Sequence, residues 1–215
     1  MTWQSRTRLL RLTRRDANKM FTGIIKKISK VEKVSLRKGS LFVEIKKPAG
    51  WKIKNGESIS INGVCSTVRK LNSRIFEVEY MPETIKKTTV GEFKKGLIVN
   101  LEKSLGINDL LDGHMVQGHI DTRGKIIEKK KVKESEIVKV QVPKKFMVYI
   151  APKGSVSTDG ISLTVVDTGA NWFTVSLVSY TIKNTNMHVL NIGDKVNIET
   201  DVLAKYIYNF YKRRG

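Results

Sequence analysis

Histidine, cysteine and repeated hydroxyl side chains are the residues of this chain whose chemistry could serve a reaction. Two histidines stand among glycines in Gly113-His-Met-Val-Gln-Gly-His119, five residues apart. On a strand this odd spacing would place them on opposite faces, so they are not expected to share a metal ion, and no metal site is predicted. The plain structural expectation is one solvated histidine and one that is hydrogen-bonded inside. The flanking glycines indicate close approach of a ligand or of another backbone segment.

Cys65 is the only cysteine of the chain, and it has two interpretations. It could act as a nucleophile, or it could be a small buried residue, which is where unpaired cysteines usually lie. One cysteine cannot form an internal disulfide, and the N-terminus lacks the apolar core of a secretory signal. Both observations favour a reducing, cytoplasmic setting.

The phrase that contains Cys65 occurs twice. Ser58-Ile-Ser-Ile-Asn-Gly-Val-Cys-Ser-Thr-Val68 returns 97 residues later as Ser155-Val-Ser-Thr-Asp-Gly-Ile-Ser-Leu-Thr-Val165. Alternating polar and branched apolar residues predict strands, and Asn-Gly and Asp-Gly predict tight turns. The phrase therefore predicts a hairpin, and its recurrence predicts a duplicated domain in which Ser162 replaces Cys65.

The elements around the two hairpins repeat in the same order. The spacing holds without a gap from Ser58 to Glu102, so the two halves are expected to share a fold. Short strands separated by turn signals predict a small antiparallel barrel in each half. Strands are predicted at 21–25, 41–45, 75–80, 97–102, 137–142 and 173–178, with a short helix near 85–90. The predicted organisation is a disordered basic extension at 1–19, barrels at 20–112 and 113–200, and an amphipathic helix at 201–215 capped by Asp201.

The first nineteen residues differ from the rest of the chain because they are rich in arginine and poor in acidic residues. They could be a transit peptide, or an extension produced by a start codon upstream of Met20. In either case they are expected to take no part in chemistry.

The net charge of +20 also has two interpretations. It could mark a nucleic-acid binder, or it could reflect scattered, solvated lysines. No zinc spacing, helix-turn-helix pattern or RNA-binding aromatic motif accompanies the charge, so nucleic-acid binding is the weaker interpretation. No stretch is long and apolar enough to predict a membrane span, so a soluble protein is expected.

Motifs in both halves resemble the riboflavin synthase family, alpha chain. The motifs are Met20-Phe-Thr-Gly-Ile-Ile25, Asn62-Gly-Val-Cys65, Met81-Pro-Glu-Thr84, Gly113-His-Met-Val-Gln-Gly-His119, Lys153-Gly-Ser155, Asp159-Gly-Ile-Ser-Leu-Thr-Val165 and Val196-Asn-Ile-Glu-Thr-Asp201. The resemblance runs from Met20 to about Tyr208. It implies an all-β fold of two six-stranded Greek-key, lumazine-binding barrels followed by a C-terminal α-helix.

The resemblance also implies an activity and an assembly. The implied reaction is a transferase reaction that converts two molecules of 6,7-dimethyl-8-ribityllumazine into riboflavin and 5-amino-6-(D-ribitylamino)uracil by moving a four-carbon unit, without a cofactor. The implied assembly is a homotrimer held by C-terminal helices, with lumazine synthase as a further partner. Each site would lie between the N-terminal barrel of one subunit and the C-terminal barrel of another.

Site residues follow from the resemblance position by position. The positions linked to catalysis are Phe21, Ser58, Cys65, His119 and Asp201. The first substrate pocket is expected to use Gly23, Ile24, Ile25, Cys65, Ser66, Thr67, Glu79, Tyr80, Met81, Pro82, Glu83 and Thr84. The second is expected to use Gly118, His119, Ile120, Lys153, Gly160, Ile161, Ser162, Thr164, Ser176, Leu177, Val178, Ser179, Tyr180 and Thr181.

Roles can be assigned only in part. His119 is the candidate proton shuttle, because an imidazole titrates near neutral pH. Ser58 or Cys65 would supply or position a nucleophile. The chain departs from the family pattern at Ser66, Asp112, Ser179-Tyr180 and Asn186. The main rival function is a non-catalytic lumazine or flavin carrier.

Overall fold

The computed structural model describes residues 20–106 and 108–213, and the predicted extension at 1–19 lies outside them. The first barrel contains β1 (Lys27–Arg37), β2 (Ser40–Lys46), β3 (Ser58–Ile61), β4 (Val64–Leu71), β5 (Ile75–Tyr80) and β6 (Ile98–Lys103). The second contains β7 (Thr122–Val132), β8 (Ser135–Gln141), β9 (Ser155–Thr158), β10 (Ile161–Thr168), β11 (Trp172–Leu177) and β12 (Lys195–Thr200).

Both barrels are closed and antiparallel, with the same cyclic strand order. The first runs β1-β2-β5-β4-β3-β6 and the second repeats it with β7 to β12. Apolar residues that alternate along the strands fill two separate cores, one inside each barrel. The predicted all-β fold of two six-stranded barrels is confirmed.

The repeated phrase forms the predicted hairpin in both halves. β3 pairs with β4, and β9 pairs with β10. Asn62 and Gly63 have φ of 46° and 79°, and Asp159 and Gly160 have the same pair of values. Two consecutive positive φ angles make the tight turn whose twist matches paired strands, and Asn-Gly and Asp-Gly adopt it readily.

The described residues form three α-helices, which follow β5, β11 and β12. These are α1 (Pro82–Lys87), α2 (Ser179–Asn184) and α3 (Val202–Lys212), and short 3-10 turns lie at Thr89–Glu92, Lys144–Tyr149 and Asn186–His188. The Asp201 side chain accepts a hydrogen bond from the Leu203 amide and caps α3, as expected. None of the helices in the described part of the chain is long and apolar enough to cross a membrane.

Two predicted boundaries are wrong. The predicted helix near 85–90 starts earlier, because Pro82 suits the first helical position, and it ends before the 3-10 turn. The predicted strand at 21–25 does not form. Phe21 makes an isolated antiparallel bridge with Val116, and β1 begins only at Lys27.

The two hairpin tips touch about a pseudo-two-fold axis. A Cβ atom added to Gly63 would lie 2.7 Å from the Gly160 nitrogen, and one added to Gly160 would lie 2.7 Å from the Gly63 nitrogen. No side chain fits at either tip, so the glycines allow the barrels to meet backbone to backbone.

A buried polar network surrounds this axis. The Asn100 Nδ2 donates to the Asp159 carbonyl at 2.9 Å, and the Asn197 Nδ2 donates to the Asn62 carbonyl at 2.8 Å. Asn186 breaks the symmetry: its Nδ2 donates to the Asp159 Oδ2 at 2.7 Å, whereas the first repeat has Thr89 at the matching position. The barrels are thus joined by satisfied amide pairs.

Candidate active site

The segment before each barrel crosses to the hairpin of the other barrel. The Cys65 amide donates to the Gly118 carbonyl at 3.0 Å, and the Ser162 amide donates to the Gly23 carbonyl at 2.8 Å. Ile120 packs against the core of the first barrel, and Ile25 against the core of the second. The two leading segments, residues 20–26 and 113–121, therefore each contact the barrel of the other repeat.

The structure places these segments in a different grouping from that of the expected pockets. Gly23, Ile24 and Ile25 lie with the second hairpin, and Gly118, His119 and Ile120 lie with the first. The physical reason is the crossing: each segment pairs with the hairpin across the pseudo-two-fold axis. As a result Cys65 and His119, which the sequence assigned to different pockets, lie on the same side of the molecule.

Glycine makes both crossings possible. Gly118 has φ of +75°, and a Cβ atom there would lie 2.6 Å from the Cys65 Cβ. Gly23 has φ of +76°, and a Cβ atom there would lie 2.7 Å from the Ser162 Cβ. The conformation and the contact both exclude a side chain. The predicted close approach at the glycine flanks is confirmed, and the approaching group is another backbone segment.

A buried glutamate holds each crossing segment. Glu102 accepts from the Thr22 amide at 2.7 Å, from the Thr22 hydroxyl at 2.7 Å and from the Gly23 amide at 3.0 Å. Glu199 accepts from the Gln117 amide at 2.8 Å and from the Gly118 amide at 2.9 Å. Burial raises the pKa of Glu102, and it raises the pKa of Glu199 to about 7.

These glutamates were missed by sequence reasoning. They lie at matching positions near the ends of β6 and β12, in strands that are otherwise mostly buried. The signal was present, because a lysine-rich chain with only 20 acidic residues retains a carboxylate at this position in both copies.

The outward face of the first hairpin is polar. Ser58 lies opposite Thr67, and Ser60 lies opposite Cys65. Directly opposite residues point to the same face, so these side chains form one polar stripe, while Ile59 and Ile61 point into the core. The Ser58 hydroxyl is buried and finds no hydrogen-bond partner among the described residues. Cys65 is half-buried and His119 is exposed.

Ser66 and Tyr80 point into the first barrel instead of toward this stripe. The Ser66 hydroxyl donates to the Val64 carbonyl, so the Tyr80 hydroxyl, 2.8 Å away, donates to Ser66. Burial raises the pKa of Tyr80 well above its usual range. The second repeat replaces this polar pair with Leu163 and Leu177, and both are core residues.

A histidine also lies beside the second hairpin. The His114 Nδ1 is 2.7 Å from the Ser162 Oγ, while the His114 Nε2 is buried and has no partner in the part of the chain that the structure describes. Burial lowers the pKa of His114, and the nearby charge of Asp201 opposes this shift. The expectation of one bonded and one solvated histidine is confirmed, although residues 113–121 form no strand. His114 was not predicted as a site residue.

The other predicted residues lie around these two hairpins. Phe21 is fully buried, whereas Met81, Val178 and Tyr180 project into solvent near the starts of α1 and α2. Glu83 pairs with Lys87 at 2.7 Å on the surface, and this contact lowers the pKa of Glu83. Lys153 adopts φ of 68° although its counterpart is Gly56, a strained backbone at a predicted binding residue.

Large cavities do not coincide with these residues. A cavity of about 1140 Å³ borders Lys33, Lys47 and Arg74, and one of about 700 Å³ borders Arg123, Lys125 and Lys144. Neither is lined by a predicted site residue. Among the described residues, no group of three or more His, Cys, Asp or Glu side chains could hold a metal ion.

Comparison with known proteins identifies the repeated unit. The model of the lumazine binding domain family matches residues 22–104 and 117–201. The chain is 40% identical over 196 residues to riboflavin synthase of Actinobacillus pleuropneumoniae, covering 91% of each protein. It is 39% identical over 193 residues to riboflavin synthase of Brucella abortus (strain 2308), covering 87% of this chain and 96% of the relative.

Solved structures share the architecture at lower identity. LumP complexed with riboflavin superposes with a TM-score of 0.79 at 22% identity, over 84% of this chain and 99% of LumP. LumP complexed with 6,7-dimethyl-8-(1'-D-ribityl) lumazine gives 0.77 at 21% identity, with the same coverage. These likenesses support the two-barrel fold. The family match and the relatives at 39% and 40% identity show that the chain belongs to the riboflavin synthase family, with two lumazine binding domains in one polypeptide.

Proposed function

We propose that the chain is a riboflavin synthase, which transfers a four-carbon unit between two molecules of 6,7-dimethyl-8-ribityllumazine and forms riboflavin and 5-amino-6-(D-ribitylamino)uracil. The observation that carries this proposal is the crossing at Gly118, which brings an exposed imidazole, His119, to the hairpin that holds Cys65. Family membership supports the reaction, and this contact supports the first hairpin as part of its site.

The two hairpins are similar but chemically unequal, which suits a reaction between two identical substrates with different roles. One substrate must lose a proton from its C7 methyl group, and the other must accept a nucleophile at C7. The first hairpin offers Cys65, the unpartnered Ser58 hydroxyl and the nearby His119. The second offers Ser162 bonded to His114. In this proposal His119 moves the proton, and Ser58 or Cys65 supplies or positions the nucleophile.

In this proposal each substrate pocket combines the hairpin of one repeat with the leading segment of the other repeat. Gly118, His119 and Ile120 serve the pocket of the first hairpin, and Gly23, Ile24 and Ile25 serve that of the second. Holding two substrates in register supplies much of the expected acceleration. Asp201 belongs with the second hairpin, since its charge acts on His114.

A homotrimer is the assembly we propose. The exposed apolar residues of α3 recur at helical spacing along one face: Leu203, Tyr206, Ile207, Phe210 and Tyr211. A stripe of this kind is typical of a helix that pairs with other helices. Trimerisation through α3 would let the first barrel of one subunit face the second barrel of another.

Two further proposals concern the setting of the protein. We place it in the cytoplasm, in keeping with its single cysteine. Lumazine synthase is the proposed partner, because its product is the lumazine that this reaction consumes. Co-purification of the two proteins from cell extract tests that association.

The function is tested by incubating the purified chain with 6,7-dimethyl-8-ribityllumazine alone. Riboflavin and 5-amino-6-(D-ribitylamino)uracil should appear in equal amounts, with two lumazines consumed for each riboflavin. Tight binding of the lumazine without any riboflavin would refute the synthase and leave the carrier function. Salt-sensitive binding to duplex DNA without turnover would support a nucleic-acid binder instead.

A further inference from the structure

The segment that carries His119 is held at both ends, and only the first of its two anchors has a counterpart in the other repeat. On one side Glu199 accepts from the amides of Gln117 and Gly118, as Glu102 does for Thr22 and Gly23. On the other side Asp121, two residues after His119, provides a second anchor that leads to α3.

The Asp121 Oδ2 accepts three hydrogen bonds. The Thr200 amide donates at 2.8 Å, the Thr200 hydroxyl at 2.9 Å and the Lys205 ammonium at 2.7 Å. Lys205 lies in the first turns of α3, directly after the Asp201 cap. One carboxylate oxygen therefore joins the His119 segment, the end of β12 and the start of the terminal helix.

This second anchor is absent from the first repeat. Lys26 stands where Asp121 stands, since the Lys26 amide donates to Leu101 as the Asp121 amide donates to Ile198. Lys103 stands where Thr200 stands. Two lysines cannot form such a contact, so among the described residues no equivalent anchor joins the segment that carries Gly23 and Ile24 to a helix. The second anchor is thus present only in the repeat whose segment carries a histidine, since Ile24 occupies the position of His119 in the other repeat.

The ion pair between Lys205 and Asp121 is partly shielded from solvent. The Lys205 and Asp121 side chains are 24% and 19% exposed, in contrast to the 68% exposed Glu83 in its ion pair with Lys87. A charge-assisted hydrogen bond is stronger than a neutral one, and solvent ions screen a partly buried ion pair less than an exposed one. It is thus suited to fix the backbone of residues 119–121.

We propose that Asp121 is a positioning residue that couples α3 to His119, so that the placement of the imidazole depends on the terminal helix. The expected effect on turnover rests on the proposed function, whereas the expected effect on the position of His119 does not. The coupling passes from Lys205 through Asp121 along two peptide units to His119. In the proposed trimer, α3 is the assembly element, so the same contact links assembly to the site.

The experiment is a double-mutant cycle of Asp121→Asn and Lys205→Met in the full chain. Each single change removes the ion pair and should lower kcat by about tenfold, because small displacements of a reacting group cost large factors in rate. KM for the lumazine should change by less than about threefold, since no proposed substrate contact is removed. The double variant should be no slower than either single variant, which is the signature of one shared interaction.

A second readout is independent of turnover. The chain has only three histidines, so the imidazole signals of His114, His119 and His188 can be followed separately by NMR. In both single variants the His119 signal should shift or broaden while that of His188 stays unchanged. Lys205→Arg keeps a cation at this position and should restore both the signal and kcat.

The matched control is Lys139→Met, which removes another ion pair of the second barrel, with Glu128 at 2.9 Å, in which no residue of 117–121 takes part. It should lower the melting temperature without moving the His119 signal or kcat. If Asp121→Asn and Lys205→Met behave like this control, the coupling is refuted. If the unaltered chain makes no riboflavin, but the His119 signal shifts or broadens in the two single variants as expected, the proposed function fails and the positioning of His119 stands.

Discussion

Gly118 has no side chain, and the absence of a Cβ atom allows the segment that carries His119 to lie beside Cys65. The backbone there has φ of +75°, and the Cys65 Cβ occupies the space that a Gly118 Cβ would need. The same condition holds at Gly23 against Ser162. The chemistry of the candidate site thus depends on two residues that contribute no functional group.

Gly118→Ala should lower both stability and activity. A left-handed alanine costs about 1 to 2 kcal/mol, and the forced contact with Cys65 adds about 1 to 3 kcal/mol more. Urea unfolding measures the free energy, and riboflavin formation measures the displacement of His119.

The matched control for this substitution is Gly56→Ala. Gly56 has φ of +81° with nothing within 4 Å of a built Cβ, so it isolates the backbone cost from the contact cost. Its counterpart Lys153 shows that a side chain is compatible with this conformation. Equal losses of stability in the two variants would contradict a steric role for Cys65.

His119→Ala should lower turnover strongly and leave binding almost intact. Loss of general acid–base catalysis costs about 10² to 10⁴ in rate, whereas the exposed imidazole is not needed to hold the fold. The measurements are kcat and the dissociation constant for riboflavin. His188→Ala, which alters a histidine bonded to the Thr185 carbonyl outside the site, should change neither quantity. Near-normal turnover of His119→Ala would remove its assigned role.

The sequence could predict which residues hold reactive groups, but not how they are grouped. Comparing the two copies singles out Cys65 against Ser162 and His119 against Ile24. It does not show which leading segment meets which hairpin, since two similar hairpins offer equivalent partners. The hydrogen bonds from Cys65 to Gly118 and from Ser162 to Gly23 resolve this, and they lie across more than 50 residues of sequence.

Among the elements, α3 differs from the strands in that its apolar residues are not buried. Tyr206 and Ile207 are 71% and 70% exposed, whereas on the opposite face Tyr208 makes an edge contact with Tyr149 at 5.2 Å between ring centroids. One side of the helix therefore rests on its own barrel, and the other side is available to a partner.

Ile207→Asp should reduce assembly without unfolding the barrels. A carboxylate on the apolar stripe would be desolvated in a helix–helix interface, which is strongly unfavourable. Light scattering after gel filtration should show a smaller particle with an unchanged β-sheet circular dichroism spectrum.

Asn209→Asp is the control for charge, because Asn209 is exposed on α3 and lies outside the apolar stripe. It should leave the molar mass unchanged. A molar mass that is the same for the wild-type chain and Ile207→Asp would contradict assembly through this stripe.

The elements that could be predicted from the sequence are those that local residues specify. The hairpins were predicted well because Asn62-Gly63 and Asp159-Gly160 specify their turns locally. The predicted strand at 21–25 does not form because Phe21 makes only an isolated bridge with Val116, and Gly23, with φ of +76°, interrupts the extended backbone. The helix near 85–90 was misplaced because its start depends on Pro82 and not on apolar spacing.

At the scale of the whole molecule, the two barrels are joined by buried amides, and one buried carboxylate of the second barrel holds two of the residues that make these contacts. The Asp159 Oδ1 accepts from the Asn197 amide and its Oδ2 from Asn186. Burial raises the pKa of Asp159 from 3.8 to about 7, and that of Glu199 from 4.5 to about 7. Both groups therefore bind a proton more tightly in the folded chain than in the unfolded chain.

The stability of the folded chain should fall as the pH rises from about 4 to about 7 through these two groups. A raised pKa means that the favourable contribution is complete below the unfolded-state value and is lost as the pH passes the folded-state value. The free energy of unfolding, measured at intervals across this range, gives the slope.

The double variant Asp159→Asn with Asn186→Thr tests the origin of this slope. It copies into the second repeat the residue types of Asn62 and Thr89 in the first. The dependence on pH should become shallower because one titrating group is gone. An unchanged slope would show that Asp159 does not titrate in this range.

The exchanged leading segments have a consequence for how the two copies can evolve. Each hairpin is paired with a leading segment that belongs to the other copy, so neither repeat makes this contact within itself. A substitution at Cys65 is felt at Gly118, and one at Ser162 is felt at Gly23. The two copies are therefore constrained as a pair, because a change in the hairpin of one copy must be accommodated by the leading segment of the other.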